Sequence, residues 1–139
     1  MTRADLIKLL VERLRRHRPK SLTVPQTVSV IRRLIARAAA GENGCCLWTG
    51  AVNNDHYGKL TIWKSGQRRQ LYVHRLAFLL AHEPREPAHW QHISHACDVP
   101  PCFHPDHVYK ERRVENQRRS AENTNRKKAR RHDDMREAA

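Results

Sequence analysis

Leu6, Leu9, Leu10 and Leu14 recur at three- and four-residue spacing in the stretch TRADLIKLLVERLRR. That spacing predicts a helix with one apolar face and with Arg15, Arg16 and Arg18 in water. Thr2 is a suitable N-cap, and Asp5 stands at the third position, where a carboxylate can return a hydrogen bond. RPKS ends this helix. A second is predicted to start near Pro25, a residue suited to a first turn, and to stop at Gly41. Its apolar face would carry Val28, Ile31, Leu34 and Ile35. The pair reads as a packing or dimerising hairpin in preference to a DNA-reading helix-turn-helix, because no recognition-helix signature stands out.

GENG is a turn, and from Tyr57 the period becomes two. In YGKLTIWK, Leu60 and Ile62 face one way while Lys59, Thr61 and Trp63 face the other. SGQ makes a hairpin turn. The return strand RRQLYVH puts Leu71 and Val73 inward and Arg68, Gln70 and Tyr72 outward. HRLAFLLAHE reads as a short buried helix. The stretch HACDVPPCFHPDH, residues 95–107, follows without regular periodicity. Beyond it, KERRVENQRRSAENTNRKKARRHDDMREAA is polar and permissive of helix, ending as a frayed helix or basic tail.

Composition narrows the partner. The chain has 139 residues and a net charge of +13, from 27 Lys and Arg against 14 Asp and Glu. Such an excess argues against an enzyme of small neutral substrates and for a polyanionic partner, nucleic acid before an anionic membrane surface. The charge is clustered: residues 110–131 hold ten Lys or Arg and three Glu. The outward ribbon face mixes basic, amide and aromatic groups, a combination that can lie in a DNA major groove, although an ordinary solvated hairpin face would look similar. No apolar run approaches a membrane span, and charges thread the N-terminus, so an intracellular, reducing setting, cytoplasmic or nucleoid-associated, is expected. With only 6% aromatic residues the core should be modest, and a staple would help to hold it.

The cysteines suggest that staple. In a reducing setting, thiols clustered with histidine read as metal ligands before they read as a disulfide. Cys97 and Cys102 are separated by four residues, and His107 follows after four more. Thiolate and imidazole suit zinc, and Cys45 or Cys46 could supply a fourth ligand. His104 is an alternative to His107. The longer spacing favours His107, because Pro100, Pro101 and Pro105 stiffen the loop. A closed site of this kind would be structural. His95, just before the first of these ligands, would be held rigidly, and its imidazole is suited to accept a proton from water. Asn116 offers a neutral oxygen that suits magnesium. Taken alone, each of these two residues is more often structural than catalytic.

The ordered string His95-x-Cys97-x4-Cys102-x4-His107-x8-Asn116 resembles the His-Cys box of homing endonucleases, a branch of the ββα-metal or His-Me finger nucleases grouped with HNH enzymes. GCCLWTGAVNNDHYGKL, YVHRLAF and HACDVPPCFHPDHV resemble that family's opening, middle and loop segments, covering about residues 45–118. The resemblance implies that His95 is the general base and that Asn116 holds a catalytic Mg2+. It also implies that Cys97, Cys102 and His107 bind a structural Zn2+ with Cys45, which stands three residues before the Trp. The substrate would be double-stranded DNA, cut to leave 5′-phosphate and 3′-hydroxyl ends. Lys59, Thr61, Trp63, Arg68 and Gln70 would contact it, and Arg68, Arg69 or Arg75 would stand near the scissile phosphate. His104 replaces the usual Asn, Cys46 stands where an aromatic is common, and no cysteine follows Cys102, so a second zinc cluster is missing. A homodimer would have to be built by the N-terminal helices.

The expected fold is α+β: a small zinc-stabilised ββα-metal core with an antiparallel hairpin over residues 45–120. A helical extension, 1–44, precedes it, and a basic helix or tail, 121–139, follows. The competing expectation is a non-catalytic zinc-stabilised DNA-binding protein. An RNA-binding zinc protein is the weaker third.

Overall fold

A computed structural model describes residues 2–138, with side chains as far as Arg126. It is a small α+β protein with four helices and antiparallel strand pairs. Helix α1, Arg3–Arg13, begins on a reciprocal cap: Asp5 N–H donates to Thr2 Oγ1 at 3.2 Å and Thr2 N–H to Asp5 Oδ2 at 3.2 Å. It buries Leu6 and Leu10 completely. Helix α2, Val24–Ala36, repeats the device with Thr23 and Gln26, and Pro25 sits in its first turn.

Two expectations about α2 are corrected. It ends at Ala36, not Gly41, because Ala38–Ala40 forms strand β1, which pairs antiparallel with β2, Cys46–Trp48. Its buried face is Thr27, Val30 and Leu34, while Val28 is exposed. The β1–β2 connection is a single 3-10 turn, Glu42–Gly44, with Asn43 and Gly44 at φ 55° and 75°. These left-handed values suit Asn and Gly and let the chain reverse in five residues.

Strands β3, Lys59–Lys64, and β4, Gln67–Tyr72, form the expected hairpin. Its two loop residues, Ser65 and Gly66, both have positive φ, as a tight turn matching strand twist requires. The strand does not continue through Val73. Helix α3, Val73–Ala81, starts there and is buried except at Arg75.

The 95–107 stretch is the loop of a hairpin. Strand β5, Gln91–His95, pairs with β6, Val108–Arg112, and Ala96 N–H donates to the His107 carbonyl at 2.8 Å to close the loop's neck. The helix-permissive reading of KERR is thus corrected: residues 108–112 are strand, held by pairing with β5. Helix α4, Arg113–Ala138, starts immediately after; Ala139 lies outside the described residues. The β5–β6–α4 unit sets the end of a strand against the first turn of a helix. One core joins Leu6 and Leu10 of α1 and its C-cap Leu14 to Val30, Leu34, Leu76, Phe78, Phe103 and Val108. No helix among the described residues is long and apolar enough to cross a membrane.

Candidate metal centre and adjoining cavity

β2 docks on the 95–107 loop. Trp48 N–H donates to the Pro101 carbonyl at 2.9 Å and Phe103 N–H to the Cys46 carbonyl at 2.8 Å. These bonds flank Cys102 and bring it against Cys45, which lies more than fifty residues earlier. The donor atoms of Cys45, Cys97, Cys102 and His107 all fall within 4.8 Å of one another. His107 Nδ1 lies 3.6 Å from Cys45 Sγ and 3.5 Å from Cys102 Sγ. Bonds of roughly 2.3 Å to sulfur and 2.0 Å to nitrogen at a tetrahedral angle would put S and N about 3.5 Å apart. The donor set and its spacing therefore fit zinc.

Burial raises the pKa of the Cys45 and Cys102 thiols, so a cation must displace protons to bind there. Cys46 points into the core instead. It is fully buried, and burial pushes its thiol up to about 12. His104 stacks on His107, ring centroids 4.6 Å apart, and its Nδ1 accepts from Asp106 N–H at 3.0 Å. Asp106 in turn takes an ion pair from Arg13 at 2.7 Å, which ties α1 to this loop.

The loop also borders, through Asp98 and Pro100, an open cavity of about 450 Å³. His95 and Asn116 both line it, His95 from the end of β5 and Asn116 from the first turn of α4. His95 Nε2 lies 2.8 Å from the Cys102 carbonyl. A carbonyl only accepts, so Nε2 carries the proton and Nδ1 keeps its lone pair. Burial lowers the imidazole's pKa, so the neutral form persists to lower pH than for a free histidine. Tyr57 stacks on the ring at 5.8 Å between centroids.

Other groups in this cavity were not singled out from sequence. His74, at the start of α3, lies 4.8 Å from His95 between ring centroids and is only 8% exposed. Its Nδ1 is buried without a hydrogen-bond partner. Burial, then the nearby His95 and Arg75, pushes its pKa down to about 3. The YVHRLAF segment contains this histidine, and its junction between strand and helix was the available signal. Arg119 stands three residues after Asn116 on α4, a spacing that places both on one helix face. Its guanidinium binds the Glu111 carboxylate at 2.9 Å and the Tyr109 hydroxyl, and donates to Asn116 Oδ1 at 3.4 Å. Glu111 also accepts from Ser94 Oγ at 2.5 Å. The asparagine oxygen is thus oriented by a braced arginine. Asp55 and Asp98 bring further oxygen donors, which suit a hard divalent cation, while the Asn53 oxygen accepts the amides of Asp55 and Tyr57.

The ribbon residues divide by register. Lys59 with Tyr72, Thr61 with Gln70 and Trp63 with Arg68 alternate with the pairs Leu60–Leu71 and Ile62–Arg69, in which Leu60 and Ile62 are buried and Arg69 is exposed. Lys59, Thr61, Trp63, Arg68 and Gln70 therefore share a face, with Trp63 exposed, and Arg69 projects to the opposite side. Arg75 lines the cavity while paired with Glu86 at 3.2 Å.

A family model described as the zinc-binding loop region of homing endonuclease matches residues 45–138. Protein 2.8 of Escherichia phage T7 is 30% identical over 76 residues, which cover 55% of this chain and 48% of that protein. The chain thus spans about half the length of that curated relative. No solved structure matches.

Proposed function

The chain belongs to the family defined by the zinc-binding loop region of homing endonucleases, and on that footing we propose that it is a magnesium-dependent endonuclease of double-stranded DNA. The observation that carries this reading is the bond from His95 Nε2 to the Cys102 carbonyl. The metal-binding loop thereby holds an imidazole whose other nitrogen keeps its lone pair, on a cavity lined by Asn116.

His95 Nδ1 accepts a proton from a water molecule as the water oxygen attacks phosphorus. The bond from phosphorus to the 3′ oxygen breaks, leaving a 5′-phosphate and, after protonation by solvent, a 3′-hydroxyl. Burial keeps His95 neutral, which a base requires. A magnesium ion on Asn116 would supply positive charge beside the phosphate and the leaving oxygen. Arg119 orients the Asn116 oxygen. His74 also lines this cavity, beside His95, and its buried Nδ1 has no protein partner. Zinc on Cys45, Cys97, Cys102 and His107 would fill all four positions and fix the loop, with none left to activate water. Lys59, Thr61, Trp63, Arg68 and Gln70 lead DNA towards the cavity.

Supercoiled plasmid tests this directly. Zinc-loaded protein is expected to nick or linearise it with magnesium present and to leave it intact without. Asn116→Ala should cut at least 100-fold more slowly while binding the same DNA. Intact plasmid under both conditions would overturn the reading.

A further inference from the structure

A second opening lies between α2 and β3, with a volume of about 600 Å³. Arg33 and Arg37 enter it from the end of α2, one helical turn apart, and Lys59 enters from the start of β3. No carboxylate lines it, and among the described residues none of these three cations is in an ion pair. Arg13, Arg75, Lys110 and Arg119 each have a carboxylate partner. Like charges brought together repel until an anion joins them.

The fold fixes the Arg33 guanidinium and the backbones of Arg37 and Lys59 there. Arg33 Nη1 donates to the Thr61 carbonyl on the β3 edge at 2.6 Å. The amide and hydroxyl of Thr49 both donate to the Arg37 carbonyl at 2.9 Å. Lys59 N–H and Trp48 Nε1 both donate to the Ala51 carbonyl at 2.9 Å. Gly50 lies so near the indole that a Cβ there would meet Trp48 Cζ2 at 2.5 Å, so the wall at this point must be bare backbone. The cleft adjoins the cavity. Lys59 pairs across the ribbon with Tyr72, and both Tyr72 and Tyr57 line the cavity.

We infer that this cleft binds backbone phosphate of the DNA whose scissile bond enters the cavity, so that α2 belongs to the DNA-binding surface. The inference rests on the DNA-cutting reading above. It assigns a ligand to residues 33 and 37, which lie outside the 45–138 match.

The test uses the full zinc-loaded chain, magnesium-free, and a fluorescent duplex titrated at salt from about 50 to 200 mM. Arg33→Gln/Arg37→Gln is expected to bind at least about 10-fold more weakly, with a salt slope shallower by about 2. Arg37→Gln alone keeps the backbone contacts of the fold and should lower the slope by about 1. A control with the same charge change on exposed residues just after α1, Arg15→Gln/Arg16→Gln, should stay within about twofold of wild type. Cleft variants that bind like this control would overturn the inference. Arg33 would then serve only to offset the carbonyl end of α2. Wild type that binds no duplex would instead overturn the DNA reading itself.

Discussion

Among the described residues are two close pairs of histidines, and they live differently. His104 and His107 stack at 4.6 Å, and His74 and His95 sit at 4.8 Å. In the first pair Nδ1 is committed on both rings: His107 faces two thiols and His104 accepts a backbone amide. In the second pair His95 is anchored through one nitrogen only, and His74 Nδ1 has no partner at all. Folding usually satisfies buried polar atoms, so the pair it leaves open is where a ligand is expected. In the proposed reading, one pair helps to fix the metal-binding loop and the other uses the rigidity this creates.

The largest effect should come from breaking the closed pair. His107→Ala removes a ligand from a cluster whose metal-binding energy, about 10 kcal/mol or more, rivals the whole stability of a small domain. The variant is expected to lose its zinc and its cooperative thermal transition together. A variant that melts like wild type would show that the cluster is not a staple.

The open pair should respond to acid. His74 has a pKa near 3 when folded against an ordinary 6.5 in the unfolded chain. Between these values the unfolded chain takes up a proton that the folded chain does not. Stability therefore falls as pH drops below about 6.5, by up to about 1.4 kcal/mol per pH unit for this group. His74→Asn should show a shallower loss between about pH 7.5 and 5 in urea unfolding. An unchanged difference across that range would mean that His74 is not held neutral.

The smallest effect belongs to His104. Its replacement by Asn removes a stacking face but keeps an oxygen that can accept from Asp106, so a cost of about 1 kcal/mol is expected with zinc retained. Loss of zinc would make His104 more than a brace.

Much of this was legible in the chain because it is local. Caps at Thr2 and Thr23, the period-two ribbon, and the clustering of Cys97, Cys102 and His107 are read within a few residues. β1 and β6 were not legible, since each exists through a partner strand: Ala38–Ala40 carries no strand signal of its own, and Val108–Arg112 looks helical until β5 pairs with it. The choice between Cys45 and Cys46 hid for the same reason. Only the docking of β2 on the loop turns Cys45 towards the cluster and Cys46 into the core. His74 and Arg119 were missed because their surroundings come from elements distant in sequence.

The division between the pairs is tested most directly by His95→Ala, measured for zinc content, DNA binding and magnesium-dependent cleavage of supercoiled plasmid in one preparation. The expected protein retains about one zinc per chain, binds duplex like wild type, and cuts about 100- to 10,000-fold more slowly. A folded, zinc-loaded His95→Ala that cuts plasmid at the wild-type rate would contradict the account.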